Sequence, residues 1–234
     1  MKKNNLIVAI IILLGISLFI LSGCENNDNE RMTSDWEHTF ADKHESITDE
    51  TFDIFEKAKE NYTTMELDAI ALLGEQVVAG ENYMFLAKGY QKGEQENATY
   101  KTVTIYNDFE NKATITNVKD FDYTKYVNEN LDNNKEILTG GWYVNPKIKE
   151  VELEEKVQKA FDNAASTLTG ITFKPIAVLG EQKASGTNYA ILCYGGASYE
   201  SSKLGVYIIT LYEDLRGTQE IISHAYVNLS DYNK

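Results

Sequence analysis

The stretch Leu73-Gly74-Glu75-Gln76 returns 106 positions later as Leu179-Gly180-Glu181-Gln182. The same offset aligns many other residues without a gap. Self-similarity at one fixed spacing is the sequence signature of repeated structural units, so the pattern predicts two copies of one domain. The aligned pairs include Trp36 with Trp142, Phe55 with Phe161, Gly80 with Gly186, Asn82-Tyr83 with Asn188-Tyr189, and Asp108 with Asp214.

Each copy opens with a predicted helix. In the first copy, Thr48 is a candidate N-cap, followed by Asp49 and Glu50 in the positive first turn. In the second copy, Gly170 is predicted to end the helix. Apolar residues recur at helical spacing in both copies: Leu153, Val157, Ala160, Phe161, Ala164 and Leu168 in the second, and Phe52, Phe55, Ala58 and Tyr62 in the first.

Four β-rich segments follow the first helix, at residues 65–78, 82–90, 100–106 and 113–118. The third contains Thr102-Val103-Thr104-Ile105-Tyr106, which alternates as expected for a sheet with one solvent-exposed face. Residues 107–111 and 213–217 match each other as hairpin turns. The order predicts an α+β fold with two tandem domains, each one helix packed on a four- to five-stranded antiparallel sheet.

The N-terminus carries the features of a cleaved export signal. Lys2 and Lys3 precede an unbroken apolar run at residues 6–21, which leads into Leu21-Ser22-Gly23-Cys24. A charged start, a short apolar region and small residues before the cleavage point are typical of signal peptides. The alternative is a retained transmembrane helix, because the apolar run is only somewhat shorter than the ~20 residues that span a bilayer.

Leu21-Ser22-Gly23-Cys24 resembles the lipobox of bacterial lipoproteins. In that class the chain is cleaved before the cysteine, which then carries acyl chains such as palmitate, so the resemblance implies lipidation at Cys24. Each buried methylene contributes about 0.8 kcal/mol, and two or more chains anchor a protein stably. The expected protein is exported and membrane-anchored by lipid, on the outer face of the cell membrane or at the outer membrane, and displayed at the cell surface.

Composition divides the chain further. Residues 25–31 hold no apolar side chain and predict a solvated tether. A polar, low-complexity stretch between the copies predicts a linker. The expected divisions are a signal peptide at 1–23, the lipidated cysteine and tether at 24–35, the first domain at 36–127, the linker at 128–139 and the second domain at 140–234.

Charge and cysteine content exclude several classes of protein. The formal net charge is −14 and the isoelectric point is near 4.7, so the surface repels nucleic acid and anionic headgroups. With Cys24 acylated, Cys193 is the only thiol left, and no intramolecular disulfide is expected. Cys193 aligns with Ala87 inside a predicted strand, which favours a small core residue over an active thiol.

The sequence offers no evident catalytic constellation. Its three histidines, His38, His44 and His224, are far from any nucleophile in sequence. His38 and His44, with Asp42 and Glu45 nearby, leave a weak metal site open, although exposed polar residues are the favoured interpretation. We therefore predict a non-enzymatic protein without cofactor or metal.

Between the first two predicted strands lies Gln76-Val77-Val78-Ala79-Gly80. This segment resembles the cystatins, which carry Gln-x-Val-x-Gly on the first hairpin of a sheet wrapped around one long helix. The second copy has the degenerate form Gln182-Lys183-Ala184-Ser185-Gly186. Cystatins are cysteine protease inhibitors: they wedge this hairpin, a glycine-containing N-terminal segment and a second hairpin bearing Trp into the cleft of a papain-like peptidase.

The resemblance implies a peptidase-contact site at Gln76, Val77, Val78, Ala79 and Gly80. Gly80 is expected to take φ > 0 so that the loop turns tightly, and Gln76 to hydrogen-bond the rim of the cleft. The same resemblance assigns secondary contacts to Phe109, Gly140, Gly141, Gln182 and Gly186. Neither copy has all three contact elements of the family, since the first has Phe109 in place of Pro-Trp and the second has polar residues in its first loop.

Two functions follow from these residues. One is a surface lipoprotein that binds and inhibits a papain-like cysteine peptidase through residues 76–80. The alternative is a non-inhibitory protein- or peptide-binding scaffold at the cell surface, in which the pentapeptide is a hairpin that the fold requires. Retention of Gly186, Asn188 and Tyr189 in the degenerate copy favours a fold role for their counterparts.

Overall fold

The computed structural model describes residues 47–128, 143–144, 153–183, 185–197 and 205–233. The predicted signal peptide, Cys24, the predicted tether, nearly all of the predicted linker, Gly140 and Gly141 lie outside these ranges, as do Trp36, Trp142, His38 and His44. No helix within the described ranges has the length and apolar character needed to span a bilayer.

The first repeat consists of helix α1 (Asp49–Lys59), strands β1 (Glu66–Val78), β2 (Gly80–Tyr90), β3 (Thr99–Asn107) and β4 (Ala113–Asp120), and helix α2 (Thr124–Asn128). The second repeat consists of strand β5 (Tyr143–Val144), helix α3 (Glu155–Ala165) and strands β6 (Ile171–Lys183), β7 (Gly186–Ala197), β8 (Gly205–Asp214) and β9 (Gln219–Val227). Short 3₁₀ helices occupy Gln95–Asn97 and Leu229–Tyr232.

The two repeats have the same order of elements. Helices α1 and α3 begin and end 106 positions apart, and each precedes a meander of four antiparallel strands. The strand order is β1-β2-β3-β4 in one sheet and β5-β6-β7-β8-β9 in the other. The predicted α+β class with two antiparallel sheets is therefore confirmed.

Helix α1 begins where the sequence predicts. The Thr51 amide donates to the Thr48 hydroxyl at 3.2 Å, and the Thr48 amide donates to the Thr51 hydroxyl at 3.0 Å. This reciprocal pair satisfies two amides at the start of the helix. Phe55 then packs edge-on against Phe85 of β2, with ring centroids 5.1 Å apart. Phe55 and Ala58 of the predicted stripe are buried, which confirms their placement. The prediction is wrong for Phe52, which is 47% exposed, because the buried face of the helix runs through Thr51 and Ile54 instead.

Helix α3 ends earlier than predicted. The sequence pattern placed the end at Gly170, but the last helical residue is Ala165. The Ser166 hydroxyl donates to the Asn163 carbonyl at 2.7 Å, and the Thr167 hydroxyl donates to the Ala164 carbonyl at 2.8 Å. These side chains bind the carbonyls of the last turn and compete with continuation of the helix.

The first long strand of each sheet carries two β-bulges at equivalent positions. The pairing of β1 with β2 skips Ile70 and Leu73, and the pairing of β6 with β7 skips Ile176 and Leu179. A bulge bends its strand and increases the local twist. Both sheets therefore bend at the same points, which extends the duplication to the backbone.

Both faces of each sheet carry buried side chains in the central strands, whereas the outer strands β4 and β9 are partly exposed. One face packs beneath the helix of its own repeat, and the opposite face packs against the other sheet. The described residues of both repeats belong to one compact unit, Thr33–Lys234. We call the apolar layer between the sheets the shared core; its fully buried members include Leu73, Met84, Leu86, Leu179, Leu192 and Ile208.

The shared core corrects one sequence-based expectation. Thr102 and Thr104 alternate with apolar residues along β3 and were expected on a solvent-exposed face, yet they are only 2% and 7% exposed. Val103 and Ile105 pack on the helix side, so the threonines point toward the other sheet. The prediction of a solvent-exposed face is wrong, because the polarity of the two threonines does not reveal that a second sheet covers this face.

One pair of equivalent residues meets between the repeats. Tyr126 and Tyr232 occupy equivalent positions, and their hydroxyl oxygens lie 3.0 Å apart. Contact between equivalent residues is the property of a two-fold, isologous interface. The Asn117 side-chain amide also donates to the Tyr232 carbonyl at 2.8 Å, which joins the C-terminal 3₁₀ helix to the first repeat.

Two buried tyrosines connect the sheets at their bulges. The Tyr100 hydroxyl donates to the Leu179 carbonyl at 2.9 Å, and the Tyr194 hydroxyl donates to the Leu72 carbonyl. Burial raises the pKa of both phenols above the ordinary value, so both remain protonated donors. Each repeat thus satisfies a backbone acceptor of the other where the strand ladder is disrupted.

Candidate contact site on the hairpins of the first repeat

The hairpin between β1 and β2 closes through a very short loop. Val78 pairs with Gly80, which leaves Ala79 alone at the tip. Gly80 has φ +115°, and a Cβ atom there would lie 2.6 Å from the Asn107 carbonyl oxygen. The Tyr106 hydroxyl donates to the Ala79 carbonyl. The positive φ predicted for Gly80 is confirmed, and the neighbouring backbone adds a second requirement for glycine.

Gly80→Ala is expected to destabilise the protein more than Gly93→Ala. Gly93 also has positive φ, but nothing lies within 4 Å of a Cβ atom built there. Gly93→Ala should therefore lower the free energy of unfolding only by the conformational cost of a side chain at positive φ, about 1 kcal/mol. Gly80→Ala adds overlap with the backbone, and we expect a loss of ~2–4 kcal/mol in the free energy of unfolding. Urea unfolding of both variants checks this, and equal losses would contradict the close contact at Gly80.

Gln76 is bonded within the hairpin. The Asn82 side chain donates to Gln76 Oε1 at 3.0 Å, and the Asn188 side chain donates to Gln182 Oε1 at 2.8 Å. Both pairs join neighbouring strands at equivalent register. A donor at the rim of a partner's cleft that approached Gln76 Oε1 would compete with the Asn82 side chain for this acceptor. The glutamine and the asparagine thus have a role in the hairpin itself, which accounts for their presence in both repeats.

The turn between β3 and β4 holds Phe109 at a second tip. Asp108 Oδ1 accepts hydrogen bonds from the amides of Glu110 and Lys112, both at 2.9 Å. Asn111 takes φ +60°, a left-handed conformation that asparagine tolerates. Asp108 therefore stabilises the turn, as its recurrence in the sequence predicts. Phe109, which follows it, is 83% exposed.

The turn between β8 and β9 repeats this geometry. Asp214 Oδ1 accepts from the amides of Arg216 and Thr218 at 2.8 Å. These backbone hydrogen bonds hold the pKa of the Asp214 carboxyl below its ordinary value, and the bond from Thr218 has the largest effect. Gly217 takes φ +85° where the first repeat has an asparagine. Leu215, the counterpart of Phe109, is 86% exposed.

The two tips of the first repeat border one open groove of about 300 Å³. Val77 on one rim is 61% exposed, and Phe109 on the other rim is more exposed still. The structure thus brings together residues that the sequence placed on separate hairpins. We call this the two-hairpin groove; its lining comes from Val77, Val78, Gly80 and Glu81 of the first hairpin and Asn107, Asp108, Phe109 and Asn111 of the second.

Glu81 belongs to this groove, although the motif analysis missed it. Val77, Glu81 and Asn107 are direct neighbours across β1, β2 and β3, so their side chains share one face of the sheet. The Tyr83 hydroxyl donates to the Glu81 carboxylate. Burial, reinforced by this carboxylate, raises the pKa of Tyr83. The two-residue alternation of β2 is the signal that could have assigned Glu81 to the rim.

The corresponding edge of the second repeat is chemically different. Lys183 stands where the first repeat has Val77, and its Nζ lies 3.2 Å from Glu181 Oε2. Ser185 is exposed at the tip. Gly186 is required for space, since a Cβ atom there would lie 2.2 Å from a backbone carbonyl oxygen of β8. The proposed secondary contacts Gln182 and Gly186 therefore have structural roles in their own hairpin.

Cys193 lies in the core beneath helix α3. It is fully buried, and burial raises the pKa of its thiol well above the ordinary value. Its interpretation as a small core residue is confirmed. Within the described ranges, no group of three or more His, Cys, Asp or Glu side chains is placed to hold a metal ion.

Comparison of the chain with protein-family models, curated proteins and solved structures found no match. The groove itself has the apolar side chains of Val77 and Phe109 on its two rims, beside the carboxylates of Glu81 and Asp108. The hairpin tip next to the groove is narrow, because Gly80 with its positive φ allows the chain to turn tightly there. An edge of this shape can enter a cleft on another protein, because little backbone has to be accommodated.

Proposed function

We propose that this protein is an exported lipoprotein, anchored by acyl chains on Cys24, that inhibits a papain-like cysteine peptidase with a cystatin-like first repeat. The observation that supports this most is the joint exposure of Val77 and Phe109 on neighbouring hairpin tips that line one groove. The pentapeptide of the first hairpin and an aromatic residue on the second thereby form one continuous edge.

The inhibition would be steric. The apolar tip formed by Val77, Val78 and Ala79 fills the peptidase cleft, and its backbone turns away at Gly80 without presenting a peptide bond to the catalytic thiolate. Burial of Val77 and Phe109 removes apolar surface from water, which supplies the main favourable free energy. The hairpin is already ordered by its Gln76–Asn82 pair, so little conformational entropy is lost on binding.

A second candidate is a non-inhibitory module that binds a protein or peptide at the cell surface. The amide pairs of the two hairpins favour it. Gln76 with Asn82 and Gln182 with Asn188 make the same bond in both repeats, so the glutamine of the pentapeptide is explained by the fold alone. Under this alternative the exposed edge still binds a partner, but it does not enter a catalytic cleft.

Val77→Asp is expected to weaken inhibition at least about 30-fold, because it places a charge at the centre of the buried contact. The measurement is the inhibition constant of the full-length protein, purified in neutral detergent, against a panel of papain-like peptidases. Lys183→Asp is the matched control, since it introduces the same residue at the equivalent exposed position of the second repeat.

Inhibition by the wild type and Lys183→Asp, lost in Val77→Asp, would support the wedge. Binding of the peptidases without inhibition would favour the non-inhibitory module. Equal loss in both variants would contradict the assignment of the contact to the first repeat.

Cys24→Ser is expected to abolish lipid attachment and membrane association. The thiol carries the lipid in lipoproteins, and residues 25–31, which follow the cysteine, have no apolar side chain to hold a bilayer. Metabolic labelling with palmitate and membrane fractionation of the variant check this. Unchanged membrane association of an unlabelled variant would instead support the retained transmembrane helix.

A further inference from the structure

The charged residues that line the two-hairpin groove are all acidic, whereas the equivalent edge of the second repeat carries the cation of Lys183. Both charged residues in its lining, Glu81 and Asp108, are carboxylates. In the second repeat, Thr187 stands in place of Glu81, and Lys183 stands in place of Val77. The second repeat instead has Glu213 at the position of Asn107, and the Tyr189 hydroxyl donates to its carboxylate at 3.5 Å, as Tyr83 does to Glu81. The hairpin thus forms with a threonine at the position of Glu81 when the neighbouring strand supplies the acceptor.

The carboxylates lie next to exposed apolar side chains. Val77 and Glu81 are cross-strand partners, and Asp108 directly precedes the exposed ring of Phe109. A partner that covers this surface desolvates Glu81 together with Val77. An acidic or purely apolar partner would leave the carboxylate without a counter-charge, which is costly.

Lysine and arginine match this combination, because each has an apolar stem and a charged end. We propose that the two-hairpin groove receives a basic side chain of the bound protein, with its stem against Val77 and Phe109 and its charged end facing Glu81 and Asp108. Arginine fits better than lysine, because its planar guanidinium also stacks on an exposed aromatic ring.

This inference rests on the proposed function in one respect. If the bound protein is a papain-like peptidase, we expect that peptidase to have basic residues at the rim of its cleft. The recognition of a basic side chain can nevertheless be tested without any peptidase. A failure of inhibition and a failure of basic recognition are then separate results.

The experiment uses the full-length protein with methyl-labelled valine in neutral detergent micelles. The peptide acetyl-Leu-Arg-Leu-amide is titrated against it, with acetyl-Leu-Glu-Leu-amide as the matched probe. We expect the arginine peptide to shift the methyl signals of Val77 and Val78 in the groove and to leave those of Val178 and Val206, both buried in the second repeat, unchanged. The glutamate peptide is expected to shift none of them.

Glu81→Lys is expected to weaken arginine-peptide binding at least about tenfold, by removing an attraction and adding a repulsion. Glu81→Gln is the milder variant and should weaken it about threefold or more, and both should retain the wild-type valine spectrum elsewhere. Thr187→Lys, at the equivalent exposed edge of the second repeat, should bind the arginine peptide as the wild type does.

Equal shifts by the two peptides, or undiminished binding by both Glu81 variants, would overturn the inference. So would inhibition of a peptidase that persists unchanged in Glu81→Lys. Arginine-specific shifts in a protein that inhibits no peptidase would support basic recognition and assign it to a non-inhibitory partner.

Discussion

Residues 25–128 expressed alone are expected to aggregate or self-associate, and to become soluble when residues 129–234 are co-expressed. In the intact chain each sheet covers an apolar face of the other. Separation would expose a contiguous patch that contains Leu73, Met84 and Leu86, all fully buried in the whole protein. Exposed patches of this kind drive association, and a second copy of the first half offers an apolar face of the same kind.

Size-exclusion chromatography of the separate and co-expressed halves checks this expectation. The co-expressed halves should elute as one 1:1 complex. Leu86→Asp in the first half should abolish the complex, because it places a charge in the shared core. A soluble, folded and monomeric first half would contradict the assignment of this layer as an obligate core.

Leu192→Ala is expected to lower the free energy of unfolding by about 2–5 kcal/mol, since it removes a fully buried side chain and leaves a cavity. Leu192 lies on β7 in the second repeat, but it contributes to the layer that both repeats share. The destabilisation should therefore reach the first repeat as well, and both should unfold in one transition.

Native-state hydrogen exchange reports the two repeats separately, at the amides of Phe85 in β2 and Ile191 in β7. Protection of both should fall by the same amount in Leu192→Ala. Leu215→Ala removes the same side chain from an exposed turn and should change stability by less than about 0.5 kcal/mol. Loss of protection at Ile191 alone would contradict a core common to both repeats.

Much of the fold could be predicted from the sequence, because local patterns encode it. The Thr48 cap, the aspartate turns and the helical stripes each depend on residues close together in the chain, and the structure confirms them except at Phe52, which is exposed. The packing of one sheet on the other could not be predicted in this way. It depends on which face of β3 a second sheet covers, and the threonines of that face have the polarity of surface residues.

The candidate site was only partly accessible to sequence analysis. A motif identified the first hairpin, and the repeat identified Phe109 as a turn residue, but their shared groove depends on the register of β2 with β3. The register of these strands also places Glu81 at the rim of the groove, and it sets Asn82 opposite Gln76, where the two side chains form a hydrogen bond. Neither pairing can be inferred from the pentapeptide alone, because both depend on strands whose alignment the turn geometry determines.

Site-specific photocrosslinking would locate the contact surface, which we propose to be the edge of the first repeat. Benzoylphenylalanine would be incorporated at position 109 or at position 215, which are equivalent and comparably exposed, and each protein would be irradiated with the peptidase that it inhibits best. We expect crosslinks from position 109 to residues of the peptidase cleft and none from position 215. Crosslinks from position 215 alone, or equal crosslinks from both positions, would contradict it.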